Sequence, residues 1–190
     1  MRIGLYFGSF NPVHVAHLII ANHILNETDI EKVWFVVSPQ NPFKSESNLL
    51  NEYHRLHLVR LATEEDNRIK ASDIEFGLPK PSYTTSTLAY LAEKHPEHEF
   101  CIIMGSDSLQ NLHKWKNYEV IVKNYAVYVY LRPGFEVENH MNANLNILDA
   151  PLLQLSATQI RKYIKEGKSV RYILPEKVLD EIEKGGYYKK

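Results

Sequence analysis

Cysteine is nearly absent from this 190-residue chain, which carries only Cys101. A lone thiol forms no intrachain disulfide and excludes a zinc site built from several thiolates; a reducing cytoplasm is the simplest setting for it. No sign of charge dominates either. Lys and Arg number 22 and Asp and Glu 23, giving a formal charge of −1 with nine histidines neutral, and the pI is near 6.8. That balance excludes a strongly basic, sequence-blind nucleic-acid binder, while leaving room for a local cationic pocket. Long apolar runs are missing too. No signal-peptide core follows Met1 to Phe7, and no stretch approaches the length of a membrane span. Neither an internal repeat nor a low-complexity tract appears. What is present, 44% apolar and 24% charged residues, is the mix of a soluble globular protein with room for one ordinary domain or at most two small ones.

The apolar runs are short and alternate with helix-like stretches. Ile3 to Phe7, Val33 to Val37, Phe100 to Met104 and Ala126 to Leu131 predict strands, with Ile69 to Ala71 and Leu145 to Leu148 weaker. Strands that are apolar almost throughout suit a parallel sheet covered on both faces. Helical spacing predicts helices over His14 to Leu25, Glu52 to Thr63 and Thr85 to Ala92, the last stopped by Pro96. Two more, Ala157 to Lys165 and Glu176 to Glu183, flank a Gly-Lys-Ser turn. This alternation is that of an α/β doubly wound parallel sheet. The polar stretch Pro39 to Asn51 is long enough to be a functional loop. In such sheets ligands bind beyond the carboxyl ends of the strands.

The first such end carries Gly8-Ser9-Phe10-Asn11-Pro12-Val13-His14-Val15-Ala16-His17. Glycine admits close backbone approach, and proline suits a helix entry. His14 and His17, three apart, share one face of a first helical turn, where free amides and the dipole favour an anion. Two imidazoles there can donate to phosphate oxygens. The alternatives are a plain strand–helix turn, the commoner fate of an isolated His-x-x-His, and a metal pair, for which no third ligand stands at a recognisable spacing. The segment Leu155-Ser156-Ala157-Thr158-Gln159-Ile160-Arg161 makes Ser156 an N-cap. The Ser156 and Thr158 hydroxyls, the free amides and Arg161 could converge on phosphates; a capped surface helix with an exposed arginine is the plain alternative. Met104-Gly105-Ser106-Asp107-Ser108 lacks the second glycine of a serine-nucleophile elbow. An aspartate at a strand end, Asp107, can instead hold a ribose hydroxyl.

The first string resembles the Gly-Thr/Ser-Phe-Asp-Pro-x-His-x-Gly-His motif of the superfamily that transfers nucleoside monophosphates from nucleoside triphosphates, with Asn11 for the usual aspartate and Ala16 for the usual glycine. The second resembles that superfamily's Ile-Ser-Ser/Ala-Thr-x-Ile-Arg segment, and Gly105-Ser106-Asp107 its Gly-Ala/Ser-Asp. Three further segments are similar to bacterial nicotinate-nucleotide adenylyltransferases: Pro81-Ser82-Tyr83-Thr84-Thr85-Ser86-Thr87-Leu88, the Pro-rich Pro39-Gln40-Asn41-Pro42-Phe43-Lys44, and Arg132-Pro133-Gly134 after a strand. Trp115 falls where those enzymes place an aromatic against the pyridine ring. Arg55 matches a family arginine whose role is expected to be structural.

The resemblance implies a Rossmann-like single nucleotidyltransferase domain over 1–190, with a helical tail from about 156. It implies transfer of AMP from Mg²⁺-bound ATP to nicotinate mononucleotide, releasing deamido-NAD and pyrophosphate, in a cytoplasmic enzyme. His14, His17 and Arg161 would be catalytic. Gly8, Ser9, Phe10, Lys44, Gly105, Asp107, Arg132, Ser156 and Thr158 would bind ATP. Tyr83, Thr84, Trp115 and Lys116 would bind the mononucleotide, and no residue would be a dedicated metal ligand. Neither nucleic acid nor membrane is expected as a partner, and a homo-oligomer is left open. The rivals are an adenylyltransferase acting on nicotinamide mononucleotide or phosphopantetheine, and a non-catalytic nucleotide-binding domain on the same fold. The Ser-Tyr-Thr segment and Trp115 speak against the first, the intact histidines and Arg161 against the second.

Overall fold

The computed structural model describes residues 1–40, 49–139, 141–151 and 153–189. Six strands form one parallel sheet in the order β3-β2-β1-β4-β5-β6: β1 (Arg2–Gly8), β2 (Lys32–Val37), β3 (Ile69–Ser72), β4 (Glu99–Gly105), β5 (Val127–Tyr130) and β6 (Leu145–Leu148). Strand alternation sorts the core into two layers. Val33, Phe35, Val37, Cys101 and Ile103 face one side, while Ile3, Leu5, Trp34, Val36, Phe100, Ile102 and Met104 face the other. Both sides are apolar because both are covered, which explains the near-continuous hydrophobic runs. Cys101 is buried in this core, and burial pushes its thiol up to about 12.

The first layer is covered by α1 (Val15–Glu27), α2 (Glu52–Thr63), α6 (Ala157–Lys165) and α7 (Glu176–Gly185). The second is covered by α3 (Thr84–Lys94), α4 (Ser106–Gln110) and α5 (Tyr118–Asn124). The expected strands and the five expected helices are all present, with ends displaced by up to two residues. The α4 and α5 helices and the 3-10 turns at Ile74–Gly77 and Leu112–Lys114 were not expected. The expected helical tail folds back: Ile160, Val178, Leu179 and Ile182 join the same cluster as Val33 and Phe35. None of the helices, among the described residues, is long and apolar enough to cross a membrane.

Strand order reverses between β1 and β4, and a crevice opens there beyond their carboxyl ends. Both motif-bearing turns, after Gly8 and after Gly105, leave the sheet at this point.

Candidate functional site

Two clefts adjoin at the crevice and share Tyr6, Phe7, Gly8, Ser9, Asp107, Ser108 and Tyr130 as a common wall. The larger, about 580 Å³, is lined by Gly8, Ser9, Phe10, His14, His17, Asp107, Arg132, Ser156, Thr158 and Arg161. The smaller, about 250 Å³, is lined by Tyr83, Thr84, Trp115 and Lys116. The two expected groups thus separate into two adjacent chambers. Gly105, grouped by resemblance with the ATP residues, lines the smaller one. Lys44 lies outside the described residues.

His14 caps α1 rather than lying within it. Its backbone N–H donates to Nδ1 of His17 at 3.2 Å, and the two rings lie 3.8 Å apart. Because His17 Nδ1 accepts, a neutral His17 carries its proton on Nε2. Phe10 is buried and adopts φ +45°, its ring stacked on Phe35 at 5.1 Å and edge-on to His17 at the same distance. It enters the site as the support of His17.

Two details differ from the expected anion site at a free helix terminus. Pro12 stands in the turn before α1, not at its first position. The Val15 amide donates to Ile173 O and the His17 amide to His14 O, so the protein itself occupies much of the α1 terminus. The polar groups that remain there are mostly side chains. Ser9 Oγ and His14 Nδ1 are buried without a hydrogen-bond partner among the described residues. Native proteins rarely leave such atoms unsatisfied, and both line the larger cleft. Burial, with the Arg132 cation nearby, pushes His14 down to about 4, so it is neutral near pH 7.

The loop after β1 is held from below by Arg55, which is fully buried. Its guanidinium donates to the carbonyls of Ser9 (2.6 Å), Leu50 (2.7 Å), Ser38 (2.8 Å) and Pro39 (2.9 Å). Four carbonyls satisfy the fork where burial lowers its pKa. Arg55 is structural, as expected, and it fastens the ends of β1 and β2 to α2.

Ser156 Oγ accepts from Gln159 N at 3.2 Å and caps α6. The cap leaves the first-turn amides of Ala157 and Thr158 without intrahelical acceptors, beside the larger cleft. Arg161 donates from Nη1 to Asn11 O at 2.8 Å and from Nη2 to Thr158 Oγ1 at 3.3 Å. One side chain therefore joins two motifs 150 residues apart in sequence.

At the end of β4, a Cβ on Gly105 would collide with Asp107 Oδ1 and lie 3.0 Å from Arg132 Cδ. Glycine is what lets these two side chains close over the strand. Asp107 Oδ1 sits 3.8 Å from Arg132 Nε, and Ser106 Oγ accepts the Arg132 amide at 2.9 Å.

In the smaller cleft the Lys116 ammonium lies over the Tyr83 ring, 4.4 Å from its centre. Trp115 is half-buried beside it. Glu75, which stands in none of the motifs, is the anchor of this chamber. It is buried, and Ser82 Oγ and Thr87 Oγ1 donate to its two oxygens at 2.7 and 2.9 Å. Those bonds fix both flanks of Tyr83-Thr84. Tyr6 and Tyr130, also unforeseen, join through their hydroxyls at 3.1 Å on the wall between the chambers. Among the described residues, the one group of three potential metal ligands is His95, Glu97 and His98, between α3 and β4 and outside both clefts.

Residues 5–163 match the cytidylyltransferase-like family. A protein of Flavobacterium johnsoniae named "probable nicotinate-nucleotide adenylyltransferase" is 52% identical over 193 residues, covering all of both chains. One of the same name from Cytophaga hutchinsonii is 48% identical and covers 99% of this chain and 98% of its own. The fold superposes on the nicotinic acid mononucleotide adenylyltransferase of Plasmodium falciparum, solved in complex with NaAD. The TM-score is 0.84 at 22% identity, over 98% of this chain and 97% of that one. By its match to the family and its full-length relatives, the chain belongs to the nicotinate-nucleotide adenylyltransferases, enzymes of the cytidylyltransferase-like nucleotidyltransferase group.

Proposed function

We propose that the larger cleft holds ATP, the smaller holds nicotinate mononucleotide, and that AMP passes between them across the shared wall. Residues 1–190 act on this reading as one nucleotidyltransferase domain, with about 156–190 as the part that completes the phosphate site. The observation that carries it is the convergence of His14, His17 and Arg161 on a cleft that opens directly onto the Tyr83–Trp115 chamber.

The mononucleotide phosphate attacks the α-phosphorus of ATP in line. A new oxygen–phosphorus bond forms as the bond from the α-phosphorus to the bridging oxygen breaks, and pyrophosphate departs with the electron pair. A phosphate nucleophile needs no base, and catalysis is positioning and charge stabilisation. His17 donates from Nε2 to the transferring group. His14, neutral near pH 7, donates one hydrogen bond from its cleft side. Arg161 and the Ala157 and Thr158 amides hold the departing pyrophosphate, with Arg132 adding charge. Asp107 orients a ribose. Mg²⁺ would come with ATP and offset phosphate charge: Asp107 is the only carboxylate among the described residues lining the larger cleft and is near Arg132, so the donors suit an ion that keeps several waters.

In the smaller cleft Trp115 stacks on the pyridine ring. The Thr84 hydroxyl and the amides of Thr84 and Lys116 receive the carboxylate. An amide substrate would turn its NH₂ toward those donors and leave them unpaired, which favours the acid. A reducing cytoplasm suits the buried thiol of Cys101. His17→Ala tests the phosphate role. Turnover is expected to fall by about two orders of magnitude or more, as for a lost transition-state donor, with the circular dichroism spectrum unchanged; a folded variant of wild-type activity refutes it.

A further inference from the structure

Beyond α7 the chain returns to the loop after β1. Gly186 ends α7 at φ +63°, a left-handed turn that suits glycine. Tyr188 follows at φ +64°, a conformation that a residue with a Cβ keeps only where its surroundings hold it. Two contacts do so. The Tyr187 hydroxyl lies 3.0 Å from His54 Nδ1 on α2. The Tyr188 hydroxyl donates to Asn11 Oδ1 at 2.9 Å. Burial holds the Tyr188 phenol well above its ordinary pKa, so it remains a donor.

Asn11 is where this contact acquires a consequence. Its Oδ1 also accepts the Leu50 amide at 3.1 Å. Two donors meet that atom, which identifies it as the oxygen and fixes the side-chain amide in one orientation. The backbone oxygen of the same residue accepts Arg161 Nη1 at 2.8 Å. Asn11 lines the larger cleft, whereas Tyr188 lines neither cleft. A single residue thus stands between a hydroxyl outside the site and a guanidinium inside it.

We propose that Tyr188 is a positioning residue for ATP. Its hydroxyl fixes Asn11, and Asn11 fixes Arg161 against the phosphates, so the segment after α7 sets ATP affinity without touching the nucleotide. This rests on the assignment of ATP to the larger cleft. A tyrosine that merely packs would alter stability and leave the balance between the two substrates intact.

Tyr188→Phe deletes one oxygen and keeps the ring. The KM for ATP should rise about three- to tenfold, the effect of one hydrogen bond that orients a charged group. The KM for nicotinate mononucleotide should stay within about twofold, and the melting temperature within about 2 °C. Asn11→Ala should act in the same direction, and the double variant should be no worse than Asn11→Ala alone, since the hydroxyl works only through Asn11. Calorimetric titration of the wild type and Tyr188→Phe with a non-hydrolysable ATP analogue reads the same change in Kd without any acceptor. A wild type that binds the analogue but does not use nicotinate mononucleotide refutes the acceptor assignment alone, and the Kd comparison still decides for or against Tyr188. A wild type that does not bind the analogue overturns both. Unchanged ATP KM and Kd in Tyr188→Phe, equal rises in both KM values, or additive losses in the double variant overturn the proposal.

Discussion

At the scale of single residues, the site contains polar groups that the fold buries, some held by partners remote in sequence, as in Arg55, and some left without one, as in His14 Nδ1. His14 gives this a measurable consequence. Its folded pKa is about 4, against about 6.5 in an unfolded chain. Between those values the unfolded chain binds the more protons, so stability falls as pH drops from about 6.5 toward 4 and the loss levels off below. The full effect is on the order of 3 kcal/mol, or roughly 6–12 °C in melting temperature for a chain of this size. The carboxylates titrate in wild type and His14→Gln alike, so the melting temperature of wild type minus that of the variant should fall by that amount from pH 7 to 4. Parallel curves would remove the buried neutral histidine from the account. Residue types at the site were legible, because His14, His17 and Arg161 stand in motifs and Trp115 was marked by its position in the resemblance. Glu75 was not legible: it sits in Ile74-Glu75-Phe76-Gly77 with no nearby residue that marks its burial, and its partners Ser82 and Thr87 are supplied by a later segment.

At the scale of elements, periodicity found what was long and apolar and missed what was short. The strands at Val33 to Val37 and Phe100 to Met104 declare themselves because both faces are covered. Helix α4 has 5 residues and α5 has 7, too few turns for a 3.6-residue pattern to emerge. The order of strands in the sheet leaves no trace in local pattern, although the parallel class and the carboxyl-end rule already pointed to the right end of the molecule. Proline suits a first helical position, which predicts a helix entry at Pro12, yet the helix begins only after His14 has capped it. Trp115, between the 3-10 turn at Leu112–Lys114 and α5, carries the prediction at this scale. Trp115→Ala should raise the KM for nicotinate mononucleotide by at least about fivefold, the equivalent of losing a stacked ring worth about 1–3 kcal/mol. The KM for ATP should stay within about twofold. Steady-state kinetics with each substrate varied in turn decides it, and equal rises would remove the stacking assignment.

At the scale of the whole molecule, a chain of net charge −1 places two arginines in one cleft. Arg132 and Arg161 face the larger cleft, alongside the capped start of α6. Much of the remaining charge forms surface pairs, as in Arg2 with Asp29 and Glu99, or Lys177 with Glu64 and Glu65. Such exposed pairs contribute little to stability, whereas Arg161 and Arg132 put positive charge in the larger cleft, where Asp107 lies 3.8 Å from Arg132 and offsets part of it. The two helices expected as a tail are part of this design. They complete one face of the core and deliver Arg161 to the loop after β1. The central claim is that these two chambers bring ATP and nicotinate mononucleotide together. Pyrophosphate release with ATP and Mg²⁺, measured against nicotinate mononucleotide, nicotinamide mononucleotide and phosphopantetheine in parallel, tests it most directly. Robust release is expected with nicotinate mononucleotide, at least about tenfold lower kcat/KM with the amide, where mispaired donors cost about 1.4 kcal/mol or more, and none with phosphopantetheine. Equal use of acid and amide, or ATP binding without turnover on any of the three, would contradict it.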